Sequence, residues 1–256
     1  MNRITKKLLY GIFYLAIIFG FIFLVYRLAL KPAPTCMDGI LNQNETGIDC
    51  GGVCQSCDIR FLSDITVAPK VLENPLDPQK SILYVELRNN NAGYGAKTFS
   101  YEVIFYDSLD QEILTYERET LIYPSERAYR VDLDVAVPFS QVARVLGVAR
   151  NFVWQPIDQM SPPSTQIRDL QTRFDEERYR LIISGVIKNN NAFDIRRGVI
   201  NALVPDSSGV IVGVSKAVVQ DLTPLEDRSF EIFVPIAKNI PPETLTRPTL
   251  YTEISR

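Results

Sequence analysis

The densest set of reactive side chains in the 256 residues is CMDGILNQNETGIDCGGVCQSC, which holds all 4 cysteines: Cys36, Cys50, Cys54 and Cys57. Clustered thiols support three chemistries. In an oxidising space they pair as disulfides, and three connectivities are open. As thiolates they ligate zinc, although only Cys54 and Cys57 form a CxxC pair and Cys36 and Cys50 lie far apart, unlike zinc-ribbon knuckles. A redox-active CxxC opens a helix in a βαβ context, a pattern this sequence lacks. The same stretch offers Asp38, Asn42, Asn44, Glu45 and Asp49, oxygen donors of the hard type that calcium takes. Their spacing does not follow the EF-hand loop, and such residues in glycine-rich loops also bond their own backbone. Calcium on Asp38, Asn42, Glu45 and Asp49 therefore competes with loop capping. Asn44-Glu45-Thr46 also fits the N-glycosylation pattern.

Elsewhere the chemistry is sparse. Histidine is absent, which removes the commonest general base and the commonest nitrogen ligand for zinc. A Ser-His-Asp set is thereby excluded, and no GxSxG, P-loop or GxGxxG string occurs. Neither catalysis nor a cofactor is expected. Residues 1–31 carry 5 Lys/Arg and no acid, whereas residues 32–256 carry 22 basic and 30 acidic residues, a net of −8. A body of that sign is a poor match for nucleic acid.

Other groups have structural readings as strong as functional ones. Asn89–Asn91 and Asn189–Asn191 end strands, where Asn tolerates left-handed backbone and bonds its own main chain; paired binding loops are the sharper alternative. Asp132 and Asp134 share one face of a strand about 7 Å apart and read as solvated display. Asp175-Glu176-Glu177-Arg178 reads as a polar turn. Trp154, which precedes a Gln-Pro pair, is expected to pack at the junction of two domains.

Leu8 to Tyr26 runs without a charge and as a helix spans about 28 Å, enough to cross a bilayer. Arg3, Lys6 and Lys7 precede it, against Arg27 and Lys31 after it, so the positive-inside bias puts the amino terminus in the cytoplasm and the rest outside. A cleaved signal peptide is the alternative; the run is longer than its usual apolar region, and Arg27–Pro34 offers no cleavage site.

Beyond Asp58 the periodicity is that of strands. Tyr129, Val131, Leu133 and Val135 alternate with Arg130, Asp132 and Asp134, as one buried and one wet face. Leu83, Val85 and Leu87 alternate with Tyr84, Glu86 and Arg88, and Phe230, Ile232 and Val234 with Ser229, Glu231 and Phe233. Leu87–Ala92 (LRNNNA) recurs as Ile187–Ala192 (IKNNNA), Tyr106–Ile113 has a counterpart in Val204–Ile211, and Pro124 in Pro224, so a duplicated module is expected. The boundaries this implies are a cytoplasmic 1–7, a transmembrane helix 8–30, a cysteine-rich stalk 31–58, a first sandwich 59–155, a linker 156–165 and a second sandwich 166–256. The fold class is all-β: two tandem immunoglobulin-like antiparallel sandwiches after an apolar helix and a short disulfide-rich segment.

Two resemblances follow from these strings. C-x-DG-x-x-N-x-x-ET-x-x-DCGG-x-C-x-x-C resembles a short cysteine-rich motif of secreted and surface-anchored prokaryotic proteins, often found beside β-sandwich modules. It implies export and carries no activity. The second module resembles the FxLYD-type sandwich of bacterial and archaeal envelope proteins, through Ile183–Asn191 (ISGVIKNNN), the strand into Asp206–Gly209 and Leu222–Phe230. Where that family has Tyr-Asp before the turn, this copy has Val204-Pro205-Asp206, while the first copy has Tyr106-Asp107. The resemblance implies an envelope location and no catalytic residues. The expected role is a scaffold or interaction protein held in the membrane by residues 8–26, with a protein partner in the cell envelope; a calcium- or small-ligand-binding surface sensor is the alternative.

Overall fold

The computed structural model describes residues 3–27 and 34–255. Leu28–Leu30 of the expected span and Lys31–Ala33 of the expected stalk lie outside the described residues. The chain divides into two compact units, Met1–Leu62 and Ser63–Arg256.

The first unit opens with helix α1, Arg3–Val25, which starts ahead of the apolar run because Arg3–Lys7 contains no proline or glycine to stop it. Its apolar side chains from Leu8 onward are exposed on every side. Lys6–Val25 is long and apolar enough to span a bilayer. The cysteine segment follows and ends in a 3-10 turn at Cys57–Phe61, started by Ser56, whose hydroxyl accepts the Asp58 N–H.

The second unit is built from strands β1 (Thr66–Glu73), β2 (Ser81–Arg88), β3 (Tyr94–Tyr106), β4 (Glu112–Ile122), β5 (Arg127–Val135) and β6 (Arg144–Pro156), then β7 (Thr165–Asp175), β8 (Arg180–Asn189), β9 (Ile195–Pro205), β10 (Ile211–Leu222), β11 (Asp227–Pro235) and β12 (Thr249–Ser255). They form four three-stranded antiparallel sheets, ordered β1-β2-β5, β4-β3-β6, β11-β8-β7 and β10-β9-β12. The first two enclose Leu83, Val85, Leu87, Phe99, Val103 and Phe105. The other two enclose Ile183, Ile187, Ile200, Val204, Ile232 and Val234. The all-β, two-sandwich class read from the sequence is what the chain adopts. Gly147 lets β6 cross close to β1: a Cβ there would meet Val67 Cγ1 at 2.5 Å and Val67 O at 2.7 Å.

The Asn triplets are structural staples. Asn89 donates from Nδ2 to Tyr94 O and Tyr123 O, at 2.8 and 3.0 Å, and its Oδ1 accepts from the N–H of Asn91. Asn91 then grips Ser63 through both N–H···O directions. The same set recurs in the second sandwich, where Asn189 donates to Phe193 O, Leu222 O and Thr223 O and Asn191 grips Ser164. Each staple ties the incoming strand, the end of β2 or β8 and the following long turn at one point. Likewise Asp107 and Asp206 each accept two turn N–H groups, from Leu109 and Gln111 and from Ser208 and Val210, which closes the β3–β4 and β9–β10 hairpins.

The structure corrects three readings. The outer face of β1-β2-β5 is only partly wet: Ile82, Tyr129 and Val131 pack on Leu203 and Val214, so the two sandwiches meet sheet to sheet, while Lys70, Arg88 and Arg127 stay exposed. Consequently Tyr129 and Val131 line that junction, and their polar neighbours turn inward, with Arg130 only 1% exposed between the sheets of the first sandwich. Trp154, half-buried, packs against the first sandwich's own core, stacked 5.1 Å from Phe152, rather than at the junction.

Replacing Asn189 by Ala removes three hydrogen bonds to main-chain carbonyls and is expected to cost about 3 kcal/mol in urea unfolding, and Asn89→Ala, which removes two, about 2. Asn90→Ala and Asn190→Ala, at exposed positions, are expected to stay within about 0.5 kcal/mol of the parent.

Candidate functional site

Two places bring the candidate residues together: the cysteine segment and the sandwich junction. In the first, Cys36 bonds Cys54 and Cys50 bonds Cys57. Among the described residues of this segment only Cys50 is buried, so cross-links and hydrogen bonds replace a core. Gly52 sits at φ +61°, where a Cβ would meet Asn44 O at 2.2 Å.

Asp38, Asn42, Glu45 and Asp49 are linked by hydrogen bonds, but the oxygens of Asp38, Glu45 and Asp49 do not gather within 4.8 Å of one another and are engaged chiefly by main-chain N–H groups. Asp49 accepts the N–H groups of Asp38 and Gly39 at 3.0 and 2.9 Å. Asp38 accepts those of Thr35 and Ile40, together with Asn42 Nδ2. These bonds, that from Asn42 foremost, hold the Asp38 carboxyl below its usual pKa. Glu45 Oε2 accepts from the N–H groups of Asn42 and Asp49, both at 3.2 Å. Its Oε1 lies 3.2 Å from Cys54 Sγ, which is in a disulfide and carries no proton. Cys36, Glu45 and Cys54 place their ligand atoms within 4.8 Å of one another, but the two sulfurs are bonded to each other as a disulfide and offer no thiolate. Asn42 Oδ1 is buried without a hydrogen-bond partner.

The junction carries a charge cluster that alternation alone concealed. Arg118 on β4 reaches Asp132 on β5 and Glu253 on β12, both at 3.1 Å. Arg130 bonds Thr120 and Leu121 O and lies 3.3 Å from Glu253. Lys216 on β10 meets Asp132 at 3.2 Å and also donates to Val131 O. Glu253 and Lys216 of the second sandwich thus close on charges of the first. Burial pushes the Asp132 carboxyl up, but Arg118 and Lys216 outweigh it and the net direction is down. Tyr101, fully buried beside this cluster, has a hydroxyl without a hydrogen-bond partner, and burial pushes its pKa up. Asp134 remains at the surface with Lys80, 3.2 Å away, so the two aspartates of the strand do not act as a pair. Asp175 accepts the Arg178 N–H and pairs with Arg180 at 3.0 Å, as a turn residue does.

Alongside, Glu86 on β2 accepts from Arg127 at 2.7 and 2.8 Å, from Tyr129 at 3.0 Å and from Arg88 at 3.0 Å. Arg127, helped by Tyr129 and Arg88, holds its carboxyl at about 2, against the usual 4.5. Sequence reasoning singled out neither Glu86, Arg118, Lys216 nor Glu253; the only signal was an excess of charge on strands whose other face is apolar.

No protein-family model matches the chain, and no curated protein matches it. Among solved structures, red sea bream transglutaminase is similar at 9% identity over 69% of this chain, with a TM-score of 0.25. The chain spans 28% of that protein's length. So loose a superposition bears on neither fold nor chemistry.

Glu253→Ala leaves Arg118 and Arg130 without their shared carboxylate and is expected to cost about 3 kcal/mol in urea unfolding. Because Glu86 and Asp132 have folded-state pKa values below their unfolded ones, their stabilisation is fully present above the ordinary carboxylate range and is lost as pH falls toward about 2. Stability measured from neutral pH down to strongly acid pH is therefore expected to fall along that limb, and Glu86→Gln to flatten it.

Proposed function

We propose that the chain is a membrane-anchored protein that displays two β-sandwiches outside the cytoplasm, as a scaffold or interaction module without catalysis. The observation that carries this reading is the order of parts: an apolar helix fit to span a bilayer, a segment held by two disulfides, then sandwiches that meet face to face. Disulfides persist in oxidising compartments, which favours an extracytoplasmic body. The basic residues Arg3, Lys6 and Lys7 before the apolar run favour a cytoplasmic amino terminus. The repeated Asn staples and Asp-closed hairpins support a duplicated module of FxLYD type, and that resemblance supports the cell envelope as its place. The alternative, a calcium sensor built on Asp38, Asn42, Glu45 and Asp49, requires those oxygens to exchange main-chain donors for metal.

In cells, the full chain is expected to resist carbonate extraction from membranes, to expose its sandwiches to external protease, and to yield Cys36–Cys54 and Cys50–Cys57 peptides on non-reducing mass mapping. Recovery from the cytosol with all four cysteines reduced overturns the proposal.

A further inference from the structure

Between sheets β1-β2-β5 and β10-β9-β12 lies a cleft of about 270 Å³, lined by Lys70, Tyr84, Glu86, Tyr129, Thr249 and Tyr251. Its wall is a sheet face, not a strand edge: Lys70 stands beside Tyr84 in one cross-strand row, and Ala68, Glu86 and Tyr129 form the next. A face offers no unpaired N–H or C=O row, so an extended peptide finds no ladder to join there. Recognition must come from side chains.

Those side chains are of two kinds. Tyr84 and Tyr251, half-buried, supply aromatic surface, and Tyr129 is buried beside them with its ring centroid 4.3 Å from that of Tyr251. Ala68, Leu203 and Ile211 add apolar surface, and the polar groups are mostly uncommitted. The hydroxyls of Tyr84, Tyr251 and Thr249 make no hydrogen bond among the described residues, and Lys70 has no ion-pair partner there. Burial, with the nearby Glu86 charge, pushes the Tyr84 hydroxyl's pKa up, so it stays protonated and able to donate. Glu86 is already taken by Arg127, Tyr129 and Arg88. Because Arg88 and Arg127 are paired with Glu86, Lys70 is the cation of the lining that is left to meet an anion.

We propose that this cleft binds a sugar ring bearing a carboxylate, as one unit of an anionic polysaccharide. The tyrosine faces pack on the apolar face of the ring, the free hydroxyls meet the ring's own, and Lys70 takes the carboxylate in a charge-assisted hydrogen bond. This names a partner class for the displayed body and rests on the surface-display reading only for where such a polymer is met.

The test is calorimetric titration of the full-length chain in detergent micelles with oligogalacturonate. Saturable binding is expected, with Lys70→Gln weakening it by about tenfold, the loss of one hydrogen bond to a charged group. Tyr84→Phe, which keeps the ring, is expected to weaken it by about threefold. Arg150→Gln, on the outer sheet β4-β3-β6, is expected to leave it unchanged, and a neutral galactose oligomer to bind at least about tenfold more weakly than oligogalacturonate. An unaltered thermal midpoint in each variant shows that folding is retained. No heat with oligogalacturonate overturns the proposal, as does unchanged affinity in Lys70→Gln. Equal affinity for poly-glutamate also overturns it, making the cleft a site for acidic peptides. The titration needs no membrane orientation, so its failure and a failure of the display reading are told apart.

Discussion

Burial of the outer face of β1-β2-β5 is the constraint on which the second unit depends. Ile82, Tyr129 and Val131 lose water against Leu203 and Val214, and this apolar contact makes one body of two sandwiches. It also sets the electrostatics. With one face of β5 committed to the junction, Arg130 and Asp132 must turn inward, and a charge so placed is tolerated only when paired and hydrogen-bonded. Arg118, Lys216 and Glu253 provide that pairing, two of them from the other sandwich. The equivalent face of β8 and β11 carries Ser184, Ser229 and Glu231 where β2 and β5 carry Tyr84, Tyr129 and Val131.

Each sandwich is closed by devices that depend on little more than a single side chain. One Asn amide satisfies two or three carbonyls around a long turn, and one Asp closes a hairpin through two N–H groups. Neither sandwich contains a cysteine, so these bonds and the two apolar cores carry the order that disulfides carry in the first unit.

The cysteine segment solves the opposite problem. Lacking a core, it relies on two covalent bridges and on carboxylates that bond the N–H groups of a tight, glycine-rich path. The same oxygens that suggest a calcium site in the sequence are thereby given a structural task. An Asx residue's affinity for its own backbone and its affinity for hard cations come from the same lone pairs, so residue type alone does not choose between them.

By itself the sequence determined the parts and their order. An uncharged run long enough to cross a bilayer, period-two alternation, and Asn and Asp at recurring turn positions are local properties, and each specifies its element without reference to distant chain. The four cysteines were evident too, but which sulfur meets which depends on how the loop folds, and only the tertiary structure decided it. Likewise, alternation at Tyr129–Val135 says that a strand has two unlike faces and is silent on which is covered. The structure turned Arg130 and Asp132 inward because a second sandwich supplies both the apolar cover outside and the countercharges at the rim. Those partners are more than 80 residues away along the chain, at Lys216 and Glu253, where no local pattern announces them.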